Sequence, residues 1–507
     1  MEFRKIAALI LAAAMAIPLL ASCANNAGEN KNTRPVVDGG SSDIGNFASG
    51  DFDNEDFTFL FIQQKAGNKD YYGGDYLDAE SLTGATIQDA VYKRNLAVEE
   101  LYKVNVTQRL EENGDPAALL QTFYMSGDFC FDVIYAWGYK LGMCIVENYF
   151  ADMSKLPNVD LTKEYWCPSA MDDLMVNDSL YICINDISMN KLEWAYFLFF
   201  NKQLAEDYNV LSTFGSPYDL VREGKWDIDT CLKMISSVSN DLDGDGKITK
   251  DDVYGVIGLT ASDFATSAGV KLLSKNDDGS YSLSYYNEKT IDVATKVNDI
   301  LTNKKYSKDY TEIWENADTS GFNDDWEYVR SFFATDHSLF LSGCAFLTGE
   351  LRDMESEYGI LPHPKYDQNQ ENYIHYVTPT ASIFAIPSTY RNDVQTASPD
   401  RTGMILEYMA YKSNELVLPQ YYETLLKGQR LNGEDDQQML DVVRDTIHYD
   451  LCAMVGLEGI TTNFRNVVEK PNTASSTYKR NEAKLNKQLN DFYMDMLNLT
   501  LEEEANN

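Results

Sequence analysis

From residue 57 onward, short apolar runs alternate with amphipathic helical stretches, and this alternation restricts the fold more than any other feature of the chain. Phe57–Ile62 is aromatic and apolar, the composition of a buried strand. Residues 86–103 then place Ile87, Ala90, Val91, Val98 and Leu101 at helical spacing. Val104–Gln108 reads as a second strand, Pro116–Ser126 as a second helix and Phe131–Ala136 as a third strand. Strands separated by helices of this length form βαβ units, and so a parallel sheet covered on both faces. The pattern resumes with strands at Tyr196–Phe200, Tyr254–Leu259 and Leu339–Leu341 and helices at Ile291–Leu301, 437–449 and 480–498. At 507 residues the chain is long enough for two large α/β lobes.

Charge narrows the partners. Lys plus Arg is 42 against 79 Asp plus Glu, a net charge of −37. Such a surface repels phosphate backbones and anionic lipid, which excludes a nucleic-acid binder or a polybasic membrane clamp. Apolar residues at 44% are enough for a sizeable core.

The N-terminus points to an anchor. Arg4 and Lys5 precede an apolar run from Ile6 to Leu20, too short to span a bilayer but suited to a secretory signal. The run ends in Leu20-Ala21-Ser22-Cys23, which looks like a bacterial lipobox, where the peptidase cuts before a lipidated cysteine. Residues 1–22 are therefore expected to be a signal peptide, with Cys23 the lipidated residue. Residues 23–50, rich in Asn, Gly, Ser and Asp, would be a flexible linker with a reach of ~30 Å. The other seven cysteines contain no C-x-x-C, so neither a zinc knuckle nor a thioredoxin-type motif is present.

One segment has metal-ligand spacing. Asp241, Asp243, Asp245 and Asp252 occupy positions 1, 3, 5 and 12 of an EF-hand-like loop, with Gly246 at 6 and Ile248 at 8. The backbone carbonyl of Lys247 would supply position 7. Asp252 stands where Glu is usual, so that arm is shorter. The expected cofactor is a structural Ca²⁺; the competing reading is a solvated acidic turn. Catalytic signatures are absent: there is no G-x-S-x-G, no H-E-x-x-H and no P-loop, and the four histidines are scattered.

Several segments taken in order resemble one family. They are Asp89-Ala-Val-Tyr-Lys-Arg-Asn95, Gly127-Asp-Phe-Cys-Phe-Asp132-Val-Ile134 and Phe200-Asn201-Lys202. Gly224-Lys-Trp226-Asp227, Tyr254-Gly255, Tyr358-Gly-Ile-Leu-Pro362-His-Pro364-Lys365-Tyr366 and Ala385-Ile386-Pro387-Ser388 follow. With the lipobox, the chain resembles the lipid-anchored extracellular solute-binding proteins of ABC importers, of the carbohydrate, maltose-binding-protein-like type.

The resemblance implies an α/β, two-lobed, type II periplasmic-binding-protein-like fold. Each lobe would be a mainly parallel sheet flanked by helices, and hinge strands would join them. Lobe 1 would take residues 51–190 plus 376–430, and lobe 2 residues 191–375 plus 431–500, with the 241–252 loop inside lobe 2. Chain crossings would lie near Tyr181–Trp194 and His375–Ile386. The cleft would collect Gln63, Gln64, Trp137, Tyr139, Asp186, Trp194 and Tyr376, with Trp326 and the Phe346 region as further candidates. Aromatic faces would stack on a sugar and Asp and Gln would bind its hydroxyls. The resemblance also implies no catalysis, a monomer, an ABC permease as partner and a place on the outer face of the cytoplasmic membrane. A lipid-anchored glycan hydrolase and a glycan-binding adhesin remain open as alternatives.

Overall fold

The computed structural model describes residues 46–63, 77–112, 114–242, 244, 252–308, 322, 325–349, 351, 353–389, 391, 393–427 and 433–506. Strand β1 (Glu55–Gln63) is buried without a break from Phe57 to Gln63, as expected of a strand covered on both faces. It pairs in parallel with β2 (Val104–Glu112) and with β3 (Val133–Trp137). Helix α1 (Thr86–Tyr102) links β1 to β2, and α2 (Pro116–Ser126) links β2 to β3. The second helix has clear local causes. The Asp115 side chain accepts the Ala117 N–H, Pro116 takes the first turn, and Gly127 ends the helix at φ 67°.

The second sheet is built from β4 (Tyr196–Asn201), β5 (Tyr254–Ile257), β8 (Ser307–Lys308), β9 (Ser338–Cys344) and β10 (Tyr358–Leu361), in the order β10-β4-β9-β5-β8. Two small ladders complete the described strands: β6 (Leu273–Lys275) with β7 (Tyr281–Leu283), and β11 (His375–Tyr376) with β13 (Ile447–His448). Finally β12 (Ser382–Ala385) joins the first sheet antiparallel to β3, giving the order β12-β3-β1-β2. All these elements lie in one compact unit, Ser42–Asn507.

The sheets are less parallel than expected. β5 pairs in parallel with β8 and β9, but β4 runs antiparallel to both β9 and β10. The antiparallel members, β4 and β12, each follow directly on a segment that arrives from the other sheet. An apolar run such as Tyr196–Asn201 records burial but not direction. The sequence limits also shift in places. Strand β5 stops at Ile257 because Gly258 takes φ 73°. The helix expected over 437–449 spans Glu434–Asp445, and Ile447–His448 pairs as a strand with β11 instead.

Between the sheets the two connecting segments run side by side. Ala195 bridges Val377 and Cys183 bridges Phe384, both antiparallel. The long helix α3 (Pro399–Lys427) packs on α1, beside the first sheet. Residues 431–500, expected with the second lobe, divide in the structure. α4 (Glu434–Asp445) packs on β10, and α5 (Glu458–Glu469) on the helices Ala261–Ser267 and Glu288–Leu301 that flank the second sheet. The short helix Leu451–Met454 instead sits on Gly138–Gly142, directly after β3.

Candidate functional site

The parallel strands of the first sheet end at one level. Phe61 is in register with Tyr135, so two residues further Gln63 lies beside Trp137, and Trp137 is paired with Ser382. Ligands of α/β sheets bind beyond such carboxyl ends. Trp137 and Tyr139 are half-buried there, with ring centroids 5.9 Å apart. The Lys140 ammonium lies 5.6 Å from the Trp137 ring.

The second sheet contributes a matching pair. Tyr196 is in register with Cys344, so Trp194 and Phe346 stand opposite each other just beyond the ladder. Their rings stack at 5.0 Å and 15°. The turn Thr378–Ala381 holds both groups. Thr378 N–H donates to the Trp194 carbonyl at 3.2 Å, while Ala381 and Pro379 carbonyls accept from Gly138 and Tyr139 N–H, each at 2.9 Å. The Thr378 and Thr380 hydroxyls lie 3.0 Å apart on that turn, both half-buried. Trp194 is itself 8% exposed, so the open aromatic surface here is that of the half-buried Trp137, Tyr139 and Phe346, beside the hydroxyls of the turn, and it suits a ligand with apolar faces and a polar rim. Leu451–Met454 closes one side, and only glycine permits its approach: a Cβ on Gly142 would meet the Met454 carbonyl oxygen at 2.0 Å.

The other expected site residues are placed differently. Gln63 is buried, 8% exposed. Gln64 lies outside the described residues, as does the side chain of Trp326. Asp186 is not a cleft acceptor: it is 2% exposed, ion-paired with Lys191, and takes the Asn414 amide on its second oxygen at 2.7 Å. Nothing near Asp186 in sequence shows that Lys191 turns back onto it. Tyr376 lines a neighbouring groove of about 610 Å³ with Asp173, Lys271, Tyr281, Tyr449 and Asp450. Burial, reinforced by Asp450 and Asp173, pushes the Tyr376 hydroxyl well above its ordinary pKa, so it remains a donor. Thr378, Thr380 and Tyr449 were not singled out from sequence, since no local signal marks residues so far from β3 in the chain.

Of the acidic loop, Asp241 and Asp252 are described, and Asp243, Asp245 and Lys247 lie outside the described residues. The loop is closed at its base by an antiparallel Asn240–Val253 bridge. Asp252 is 0% exposed and accepts the Leu242 N–H at 2.8 Å, and Asp241 accepts the Gly244 N–H at 2.7 Å. The two end carboxylates flank the closing bridge and each accepts a backbone N–H of the loop; among the described residues no group of three or more acidic, His or Cys side chains is placed to hold a metal. Cys23 also lies outside the described residues. The seven cysteines from Cys130 to Cys452 are free thiols.

No family model matches the chain, and no curated protein sequence does. Solved structures do. The maltose-binding periplasmic protein of Listeria monocytogenes, in complex with maltose, superposes with a TM-score of 0.53 at 11% identity, covering 87% of this chain and 98% of that one. A cyclo/maltodextrin-binding protein complexed with maltotetraose gives 0.52 at 12% identity, over 86% and 96%. An ABC substrate-binding protein of Listeria monocytogenes in complex with cycloalternan gives 0.51 at 12%, over 86% and 100%. The chain has the maltose-binding-protein fold. In this two-lobed α/β fold the sheet-end aromatics and the Thr378–Ala381 turn of the present chain lie where its two sheets are joined.

Proposed function

We propose that the protein is an extracellular solute-binding protein that captures a carbohydrate between its lobes and passes it to an ABC permease, without chemistry of its own. The observation that carries this reading is the pair of aromatic groups, Trp137–Tyr139 and Trp194–Phe346, fixed from two sheets to one hydroxyl-bearing turn. Trp and Tyr faces stack on the C–H face of a sugar while Thr378 and Thr380 meet its hydroxyls. The sugar complexes of the similar structures support the same class of ligand.

The lipobox at Leu20–Cys23 supports anchoring through Cys23 on the outer face of the membrane, with residues 23–50 as tether. No described helix is long and apolar enough to cross a membrane, so the anchor would be the lipid. The spacing from Asp241 to Asp252 supports a structural Ca²⁺ that neutralises the crowded carboxylates.

Calorimetric titration with a panel of linear and cyclic oligosaccharides, with product analysis of the same mixtures, tests the proposal. Stoichiometric binding with unchanged sugar is the expected result. Released mono- or disaccharide would establish the hydrolase reading. No binding to any sugar, with binding to a peptide panel, would replace the ligand class.

A further inference from the structure

Cys167, Lys191 and Asp186 form a compact cluster apart from the aromatic groups of the cleft. Lys191 is 3% exposed, ion-paired with Asp186, and its Nζ lies 2.6 Å from the Cys167 Sγ. Sulfur is larger than oxygen, and even N–H···O bonds span about 2.7–3.2 Å. The nitrogen and sulfur are therefore closer than a hydrogen bond to sulfur places them, yet too far apart for a direct N–S bond. One bridging atom spans such a gap.

The backbone gives an independent sign. Cys167 lies at φ 49°, ψ 68°, a left-handed conformation that is strained for a residue with a side chain. Such strain persists where the surroundings fix it, and it clusters at functional positions. Cys167 is half-buried as a residue, and Lys191 is enclosed and held at one distance from its sulfur.

We propose that Cys167 and Lys191 are joined, on exposure to dioxygen, by a single oxygen atom into a reversible N–O–S cross-link. The Lys191 ammonium first gives up a proton to solvent, and the resulting amine and the thiol react with one O₂. An N–H, the S–H and the O=O bond break, and N–O and O–S bonds form. The second oxygen leaves as water with two hydrogens. Dioxygen takes four electrons, two from nitrogen and two from sulfur. Two molecules of a dithiol return the four electrons and restore lysine, cysteine and water. Because Lys191 lies in the short helix Asn190–Glu193 immediately before Trp194, the cross-link pins the segment that leads into the cleft.

The full chain, held in air or under anaerobic dithiothreitol, is digested with trypsin and analysed by mass spectrometry. In air we expect cleavage after Lys191 to be lost. A linked pair of peptides containing Cys167 and Lys191 should appear, heavier than their sum by one oxygen and lighter by two hydrogens. Dithiothreitol should abolish it, as should Lys191→Arg, which keeps the charge beside Asp186, and Cys167→Ser. The aerated wild type should also melt above the reduced one, and Cys167→Ser should remove that difference. A linked pair lacking the extra oxygen, oxidation confined to Cys167, or unlinked peptides after prolonged aeration would overturn the proposal.

Discussion

Trp194 meets Phe346 face to face because β4 and β9 are antiparallel and their register continues one step past the ladder. A ligand that stacks on this pair feels both rings. Trp194→Ala or Phe346→Ala should each weaken sugar binding at least about tenfold, roughly 1.4 kcal/mol. The double variant should lose less than the sum, because either single change breaks the same stack. Calorimetry on the three variants measures both statements. Unchanged affinity in all three would remove the pair from the site.

Asp450 offers a test by pH at the neighbouring groove. Burial, with a smaller contribution from Asp173, lifts its pKa to about 6, against the Ala453 N–H that it accepts as a helix cap. The folded chain thus holds a proton that the unfolded chain, titrating near 3.9, gives up. The resulting stability is present below about pH 4 and is lost as pH rises through 6. Asp450→Asn keeps a capping oxygen but has no charge to bury. Its stability relative to wild type should rise between pH 4 and 6 and then level off, as read from denaturant midpoints. A pH-independent difference would mean that Asp450 is ionised normally.

Among the elements, the acidic loop and the Leu451–Met454 helix show opposite kinds of legibility. The loop is marked by residue spacing alone, and its two described carboxylates flank the Asn240–Val253 bridge. Like charges within a few ångströms repel by about 1–4 kcal/mol per pair, depending on the local dielectric, and a divalent cation reverses the sign. Chelation should lower the melting temperature and Asp241→Ala should abolish that sensitivity. A melting curve indifferent to chelator would leave a solvated turn. The Leu451–Met454 helix has no such mark. It reaches the end of β3 only because Gly138 and Gly142 carry no Cβ, a fit between segments some 300 residues apart that no local pattern encodes.

At the scale of the whole molecule, the paired segments at Ala195–Val377 join the two sheets through few residues, and the proposed capture requires that junction to act as a hinge. A ligand favours closure only by binding both lobes better when they are together. Small-angle scattering should therefore show the radius of gyration falling when sugar is added. Tight binding without compaction would contradict capture by closure. Cys23→Ser should release the protein from membrane fractions into the soluble fraction, and unchanged retention would defeat the anchor.

Most of the architecture was open to reading because burial leaves a periodic trace. The Phe57–Ile62 run, the helical spacing after Thr86 and the Asp115-Pro116 start are local signals with local physical causes. The motifs behind the family resemblance are equally legible, and in the structure they hold the fold. Arg94 is buried and donates to the Ile187 and Leu77 carbonyls, Asp132 pairs with Arg391 and Arg401, and the Trp226 indole donates to the Pro362 carbonyl. Each needs a definite partner, so each demands a particular residue. The ligand cleft carries no such local demand. Whether Trp194 stacks on Phe346 depends on the direction of β4, whether Asp186 faces ligand or Lys191 depends on how residues 186–194 turn, and Tyr376 meets Asp450 only once β11 pairs with β13. Periodicity and caps are short-range and set the elements; contacts between the elements are long-range, and they alone decide which side chains share a surface.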